Sequence, residues 1–143
     1  MKKDLITVSS IKINSSPEKV WKILTDTKDI EKYLFGTKIK TNWKVGSPIL
    51  FQGEYDGQKY IDKGDVIENK ENELLRYNYW SSFSGLEDKP ENYSLITYKI
   101  EKLNENSVKL IWHQQGFSNE KAQEHTEKSL GGILEIIKEL AEK

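Results

Sequence analysis

Few residues in this chain are of the types that do chemistry. There is no cysteine, which excludes disulfides, thiolate zinc sites and cysteine nucleophiles. The only histidines are His113 and His125, and they do not form an H-x-x-x-H pair. His113 follows Trp112 at the outward position of a predicted strand. His125 stands among Glu120, Glu124 and Glu127 on a predicted helix, as on a solvated face. No G-x-S-x-G elbow, G-x-x-x-x-G-K-[ST] loop or G-x-G-x-x-G loop occurs. A carboxylate suited to acid–base work has to be buried. Glu54, Asp62 and Asp65 lie on predicted strands and qualify by location alone, because the alternation around Asp62 and Asp65 favours neither face. The expectation is therefore no catalytic residue, no metal and no cofactor.

The charge pattern narrows the partners. Acids and bases nearly cancel, at a net −1, and Arg76 is the only arginine. Base readout and bidentate phosphate clamps favour arginine, and the lysines here are interspersed with acids. No nucleic-acid stripe is expected. No apolar run approaches the ~20 residues of a spanning helix, and the start MKKDLITVSS lacks the apolar stretch of a secretory signal. No membrane insertion is expected, and the localisation expected is cytoplasmic.

The 143 residues suit a single domain, 1–143, without repeats or linkers. Residues 4–13 alternate as a strand. Ser16 and Pro17 then start a helix as N-cap and first helical residue, with Val20, Trp21 and Leu24 at helical spacing; Trp21 is expected to pack in the core. A second short helix covers Thr27–Tyr33. Strands follow at Thr37–Asn42, Ile49–Glu54, Lys59–Glu68, Leu74–Trp80, Tyr93–Leu103 and Ser107–His113, with a hairpin turn at Asp56-Gly57. A long helix runs from about Asn119 to Glu142, its apolar stripe regular only from Leu130 onward. This order predicts an α+β fold: a curved antiparallel sheet of six to seven strands wrapped around the long C-terminal helix, with two short helices after the first strand.

Strand parity selects an inner face of Ile49 and Phe51; Leu75, Tyr77 and Tyr79; Ile96, Tyr98 and Ile100; and Val108, Leu110 and Trp112. Tyrosine and tryptophan carry polar ends that need partners, so several on one face can orient a small ligand or bond to their own core. Trp43, at a strand end, lines a pocket mouth or caps the core. The polar loop 81–91, with Phe83 and Leu86 inside it, is either a lid or a loop tucked on the sheet edge. Gly131 and Gly132 interrupt the helix at roughly 1 kcal/mol each. One of the two is expected to face inward, giving close helix–sheet contact, cavity room or a bend.

Three stretches carry a family resemblance over nearly the whole chain: IKINSSPEKVWKILTD, KGDVIENKENELLRYNYW and SLGGILEIIKELAEK. They resemble the opening, centre and ending of the START/Bet v 1-like superfamily, in the branch related to the activator of Hsp90 ATPase. The resemblance implies the helix-grip fold and a pocket, without a single reaction. The branch commonly has tryptophan where Gly132 stands, and a Trp-Trp or Trp-Phe pair where Tyr33-Leu34 stands. The function expected is non-enzymatic binding of a small lipophilic or aromatic molecule in a cavity between sheet and C-terminal helix. Its walls would be Trp43, Phe51, Tyr77, Tyr79, Tyr98, Trp112, Phe117, Leu130, Gly131, Gly132 and Leu134. The alternatives are a chaperone as protein partner, by analogy with the branch name, and a cyclase or hydrolase using the same cavity.

Overall fold

A computed structural model describes all of residues 1–143. The elements run β1 (Lys2–Ile13), α1 (Pro17–Thr25), α2 (Thr27–Tyr33), β2 (Lys38–Lys40), β3 (Pro48–Tyr55), β4 (Gln58–Lys70), β5 (Leu74–Tyr79), β6 (Ser94–Asn104), β7 (Ser107–Phe117) and α3 (Glu120–Ala141). One seven-stranded antiparallel sheet forms in the order β1-β7-β6-β5-β4-β3-β2. The first strand thus closes onto the last, while the β3–β4 hairpin and the short β2 form the far end. β2 has three residues rather than the six predicted, and β7 runs past His113 to Phe117.

Local chemistry explains the joints. The Ser16 hydroxyl accepts from the Lys19 amide at 3.2 Å, with Pro17 in the first turn. Asp26 caps α2 by accepting from the amides of Lys28 and Asp29. Asp56 and Gly57 both have positive φ, +52° and +78°, as a two-residue hairpin of the primed type requires.

The predicted inner face is where the core lies. Ile49, Phe51, Leu75, Tyr77, Ile96, Tyr98, Val108, Leu110 and Trp112 are all buried in one cluster with Leu130, Ile133, Leu134 and Ile137 of α3. α3 packs on β1, α1 and α2. Its first ten residues contain no buried side chain, in keeping with the weak stripe before Leu130. Polar bonds hold that part to β1: Gln123 Nε2 donates to the Ile6 carbonyl at 3.0 Å, and Thr7 Oγ1 to Glu127 at 3.1 Å.

The glycine pair departs from expectation. Gly131 and Gly132 are both exposed, and a Cβ built on either meets nothing within 4 Å. Neither glycine faces the sheet, so close packing and an inward gap are both ruled out. The reason is angular. Leu130, Ile133, Leu134 and Ile137 already occupy the inward stripe, and positions one and two residues past Leu130 turn about 100° and 200° away from it.

Candidate functional site

The site begins with β4, the strand whose alternation gave no clear inner face. Its inward residues are Tyr60, Asp62, Gly64 and Val66, with Asp62 only 4% exposed. Its isoleucines, Ile61 and Ile67, are exposed. The apolar residues thus sit on the outer side, and counting them misleads. Asp62 lies opposite Phe51 in the β3–β4 register, and Tyr60 lies opposite Gly53.

Asp62 accepts three hydrogen bonds and touches no cation. The Tyr79 hydroxyl donates to Oδ2, while Ser82 donates to Oδ1 through its amide at 2.8 Å and its hydroxyl at 2.9 Å. The adjacent Lys63 lies on the outer parity and pairs with Asp88 at 2.7 Å. Burial holds the Tyr79 phenol well above its ordinary pKa, and the Asp62 charge raises it further. Tyr79 is therefore a fixed neutral donor to the carboxylate across the ordinary pH range.

A row of rings leads from this carboxylate into the core. Phe51 meets Tyr79 edge-on at 5.2 Å and Tyr77 at 5.9 Å. Tyr77 meets Tyr98 at 5.6 Å, their hydroxyls 2.6 Å apart, and Tyr98 meets Trp112 at 4.6 Å. Trp112 Nε1 donates to Gln114 at 3.2 Å. Gly64 supports the row from β4: a Cβ there would come within 2.0 Å of the Asn78 carbonyl oxygen. Beside it, Asn78 Oδ1 accepts from the Asp65 amide at 2.6 Å in place of a backbone ladder bond.

Outward from Asp62 the same face ends in an aromatic lip. Gly53 leaves room for Tyr60, whose ring carbon Cζ would stand 2.6 Å from a Cβ at that position. The Tyr60 hydroxyl bonds to Thr37 at 2.7 Å. Phe83 lies over Tyr60 at 5.4 Å and beside Tyr55 at 6.3 Å. Tyr55 is 70% exposed and Phe83 51%. The loop carrying Ser82 and Phe83 is tethered further on, by Trp80 Nε1 to the Leu86 carbonyl at 3.2 Å and by Asn92 Nδ2 to the Glu87 carbonyl at 3.0 Å.

Of the residues selected from sequence, Phe51, Tyr77, Tyr79, Tyr98 and Trp112 form the row, and Leu130 and Leu134 share its core. Trp43 is half-buried at the core edge with φ +62°, and its indole donates to the Thr25 carbonyl at 2.9 Å. Phe117 is buried but lies outside the main cluster. Gly131 and Gly132 stand apart on the exposed side of α3. Two open hollows lie on the surface, one lined by Lys12, Asn14 and Asn104–Ser107, the other by Thr27, Lys28, Glu31, Lys38 and Ile39. None of the selected residues lines either. Ser82, Tyr60 and Phe83 were not selected. A loop serine bonding twenty residues back along the chain leaves no local mark in sequence.

A model of the family described as Activator of Hsp90 ATPase homolog 1-like protein matches residues 14–142. The chain belongs to this family. A Cytophaga hutchinsonii protein, ChR145, solved in solution, shares 35% identity and a TM-score of 0.81, over 97% of this chain and 94% of its own. The Aha1 dimer of Colwellia psychrerythraea, at 18% identity and TM-score 0.75, is matched over 96% of both chains. The Hsp90 activator PFC0360w of Plasmodium falciparum, at 16% identity and TM-score 0.70, is matched over 88% of this chain and 87% of its own. These last two share the fold. No protein with a curated description matches. No helix is long and apolar enough to cross a membrane.

Proposed function

We propose that this family member binds a small lipophilic or aromatic molecule on the inner face of the sheet, at its β3–β5 end. Tyr79 and Asp62 are the polar anchor, Phe51 and Tyr60 the apolar wall, and Phe83 the cover. One observation carries this reading: a buried carboxylate and a fixed phenol donor lie next to an exposed aromatic lip, joined to it by Ser82 beside Phe83 and by Tyr60 two residues along β4. Pockets for small molecules combine mostly apolar walls with a few converging polar groups. The three donors hold Asp62 in place and occupy both of its oxygens, which favours binding over proton transfer.

Isothermal titration with a panel of fatty acids, flavonoids, sterols and aromatic polyketides tests this. Binding that weakens in Phe83→Ala and Tyr79→Phe supports it. Binding unchanged in both variants, or no binding across the panel, overturns it.

A chaperone partner is the second reading, favoured by the apolar residues at the rim. Phe35 is 68% exposed at a left-handed φ of +53°, and Tyr55 and Val45 are similarly exposed. Exposed apolar groups suit a protein contact where they form one patch. Family membership points to Hsp90, and a pull-down with its middle domain, lost in Phe35→Ser together with Tyr55→Ser, is the corresponding test.

A further inference from the structure

Resting on the small-ligand reading above, we infer that the ligand carries a protonated amine, which takes the place of Ser82 on Asp62. The inference starts from the charges. Asp62 is the buried carboxylate of the inner face, and each of its three donors is neutral: a phenol, a serine hydroxyl and a serine amide. Asp29, the other aspartate of comparable burial, is differently supplied: Lys22 pairs with it at 3.0 Å and Lys32 at 3.9 Å. A buried carboxylate without a cation lacks the partner that best offsets its desolvation. A cation brought by a ligand supplies it.

The surroundings suit an ammonium group better than a neutral one. Phe51 stands opposite Asp62 in the strand register, the Tyr79 ring meets Phe51 edge-on at 5.2 Å, and Tyr60 is the next inward residue on β4, with Phe83 over it at 5.4 Å. Aromatic faces beside a carboxylate attract a cation through their quadrupoles. The approach carries a small excess of negative charge. In the loop Asp88 pairs with Lys63 at 2.7 Å and Glu87 with Lys89 at 3.0 Å, which leaves Glu91, and the hairpin tip carries Glu54 and Asp56 against Lys59. Fields of one sign around a cleft raise the local concentration of the opposite charge.

Ser82 fits the part of a displaceable donor. It is exposed, yet both its amide and its hydroxyl bond to Oδ1 of the buried carboxylate. Moving one loop residue therefore opens Oδ1, while Tyr79 keeps Oδ2 in position.

The test uses three probes that share a phenyl ring and a similar chain: 2-phenylethylamine, 2-phenylethanol and 3-phenylpropionate. Each is titrated into the full-length labelled protein while amide shifts are followed. The amine is expected to bind about tenfold more tightly than the alcohol, the margin of a charge-assisted over a neutral hydrogen bond. The propionate is expected to bind most weakly. Asp62→Asn should erase the preference for the amine over the alcohol. Ser82→Ala, an exposed change with little risk to folding, should tighten the amine and leave the alcohol as it was.

Alcohol or propionate binding at this site as tightly as the amine overturns the amine inference and leaves the small-ligand reading standing. An amine preference that survives Asp62→Asn also overturns it. No response to these probes or to the lipophilic panel overturns both.

Discussion

The two halves of the inner face use the same residue types to different ends. Towards β6 and β7, under α3, the tyrosine and tryptophan tips find partners within the core. The Tyr77 and Tyr98 hydroxyls bond to each other, Tyr33 donates to the Leu24 carbonyl, and Trp112 donates to Gln114. Towards β3 and β4, Tyr79 instead donates to a carboxylate, and that carboxylate lies under an exposed serine. A buried tyrosine bonded to its own neighbours stabilises a core. A tyrosine bonded to a charge beneath a loop fixes that charge at the edge of the core. The position of the second group, rather than the aromatic residue itself, separates scaffold from site.

Glycine substitution gives the largest expected difference between a close approach and open space. Gly64→Ala places a methyl 2.0 Å from a backbone oxygen and should cost about 3 kcal/mol or more in urea denaturation. Gly132→Ala, which meets nothing within 4 Å, should stabilise the protein by about 1 kcal/mol. A loss of stability at Gly132 would contradict its placement on the open side of α3.

Next in size is the closed half. Tyr98→Phe leaves the buried Tyr77 hydroxyl without its 2.6 Å partner and should cost about 1–3 kcal/mol, with ligand affinity unchanged. The double variant Tyr77→Phe/Tyr98→Phe should recover part of that loss, because no orphaned hydroxyl remains. A loss equal to the sum of the single effects would contradict the pairing.

The tyrosines also set a pH dependence. Burial raises the phenols of Tyr33, Tyr77, Tyr79 and Tyr98 above the ordinary value of 10.0. Above that pH the unfolded chain releases protons that the folded chain keeps, so the stability from these groups is complete below pH 10 and falls as pH rises further. Phenolate absorbance should show these four silent until the protein unfolds in alkali. Titration of all seven tyrosines without loss of structure would contradict their burial.

The smallest stability effect is expected at the lip. Phe83→Ala removes a half-exposed ring and should change stability by less than about 0.5 kcal/mol, while weakening the ligand. A large stability loss there would make Phe83 part of the scaffold.

Much of this was legible in the sequence, because regular alternation and caps report local rules. Val108, Leu110 and Trp112, or Ile96, Tyr98 and Ile100, leave no doubt which side is buried. Ser16 and Pro17 mark the start of α1. β4 was illegible because Ile61 and Ile67 face outward while Asp62 and Gly64 face inward, against the hydrophobic pattern. The part of the strand that breaks the pattern is the part that carries the proposed site, and breaks of this kind are where local rules yield to function. The glycine pair invited a cavity, yet the stripe from Leu130 to Ile137 had already assigned the inward face. Ser82 was beyond reach, since its role depends on a contact across twenty residues.

The central claim is that the open half binds and the closed half supports. Amide shift mapping during titration with 2-phenylethylamine tests it most directly. Binding in the open half should give saturable shifts at Phe51, Gly53, Tyr60, Asp62, Tyr79, Ser82 and Phe83, with Leu130, Leu134 and Trp112 unmoved. Saturable shifts centred on Leu130, Leu134 and Trp112 would place the ligand under α3 and contradict it.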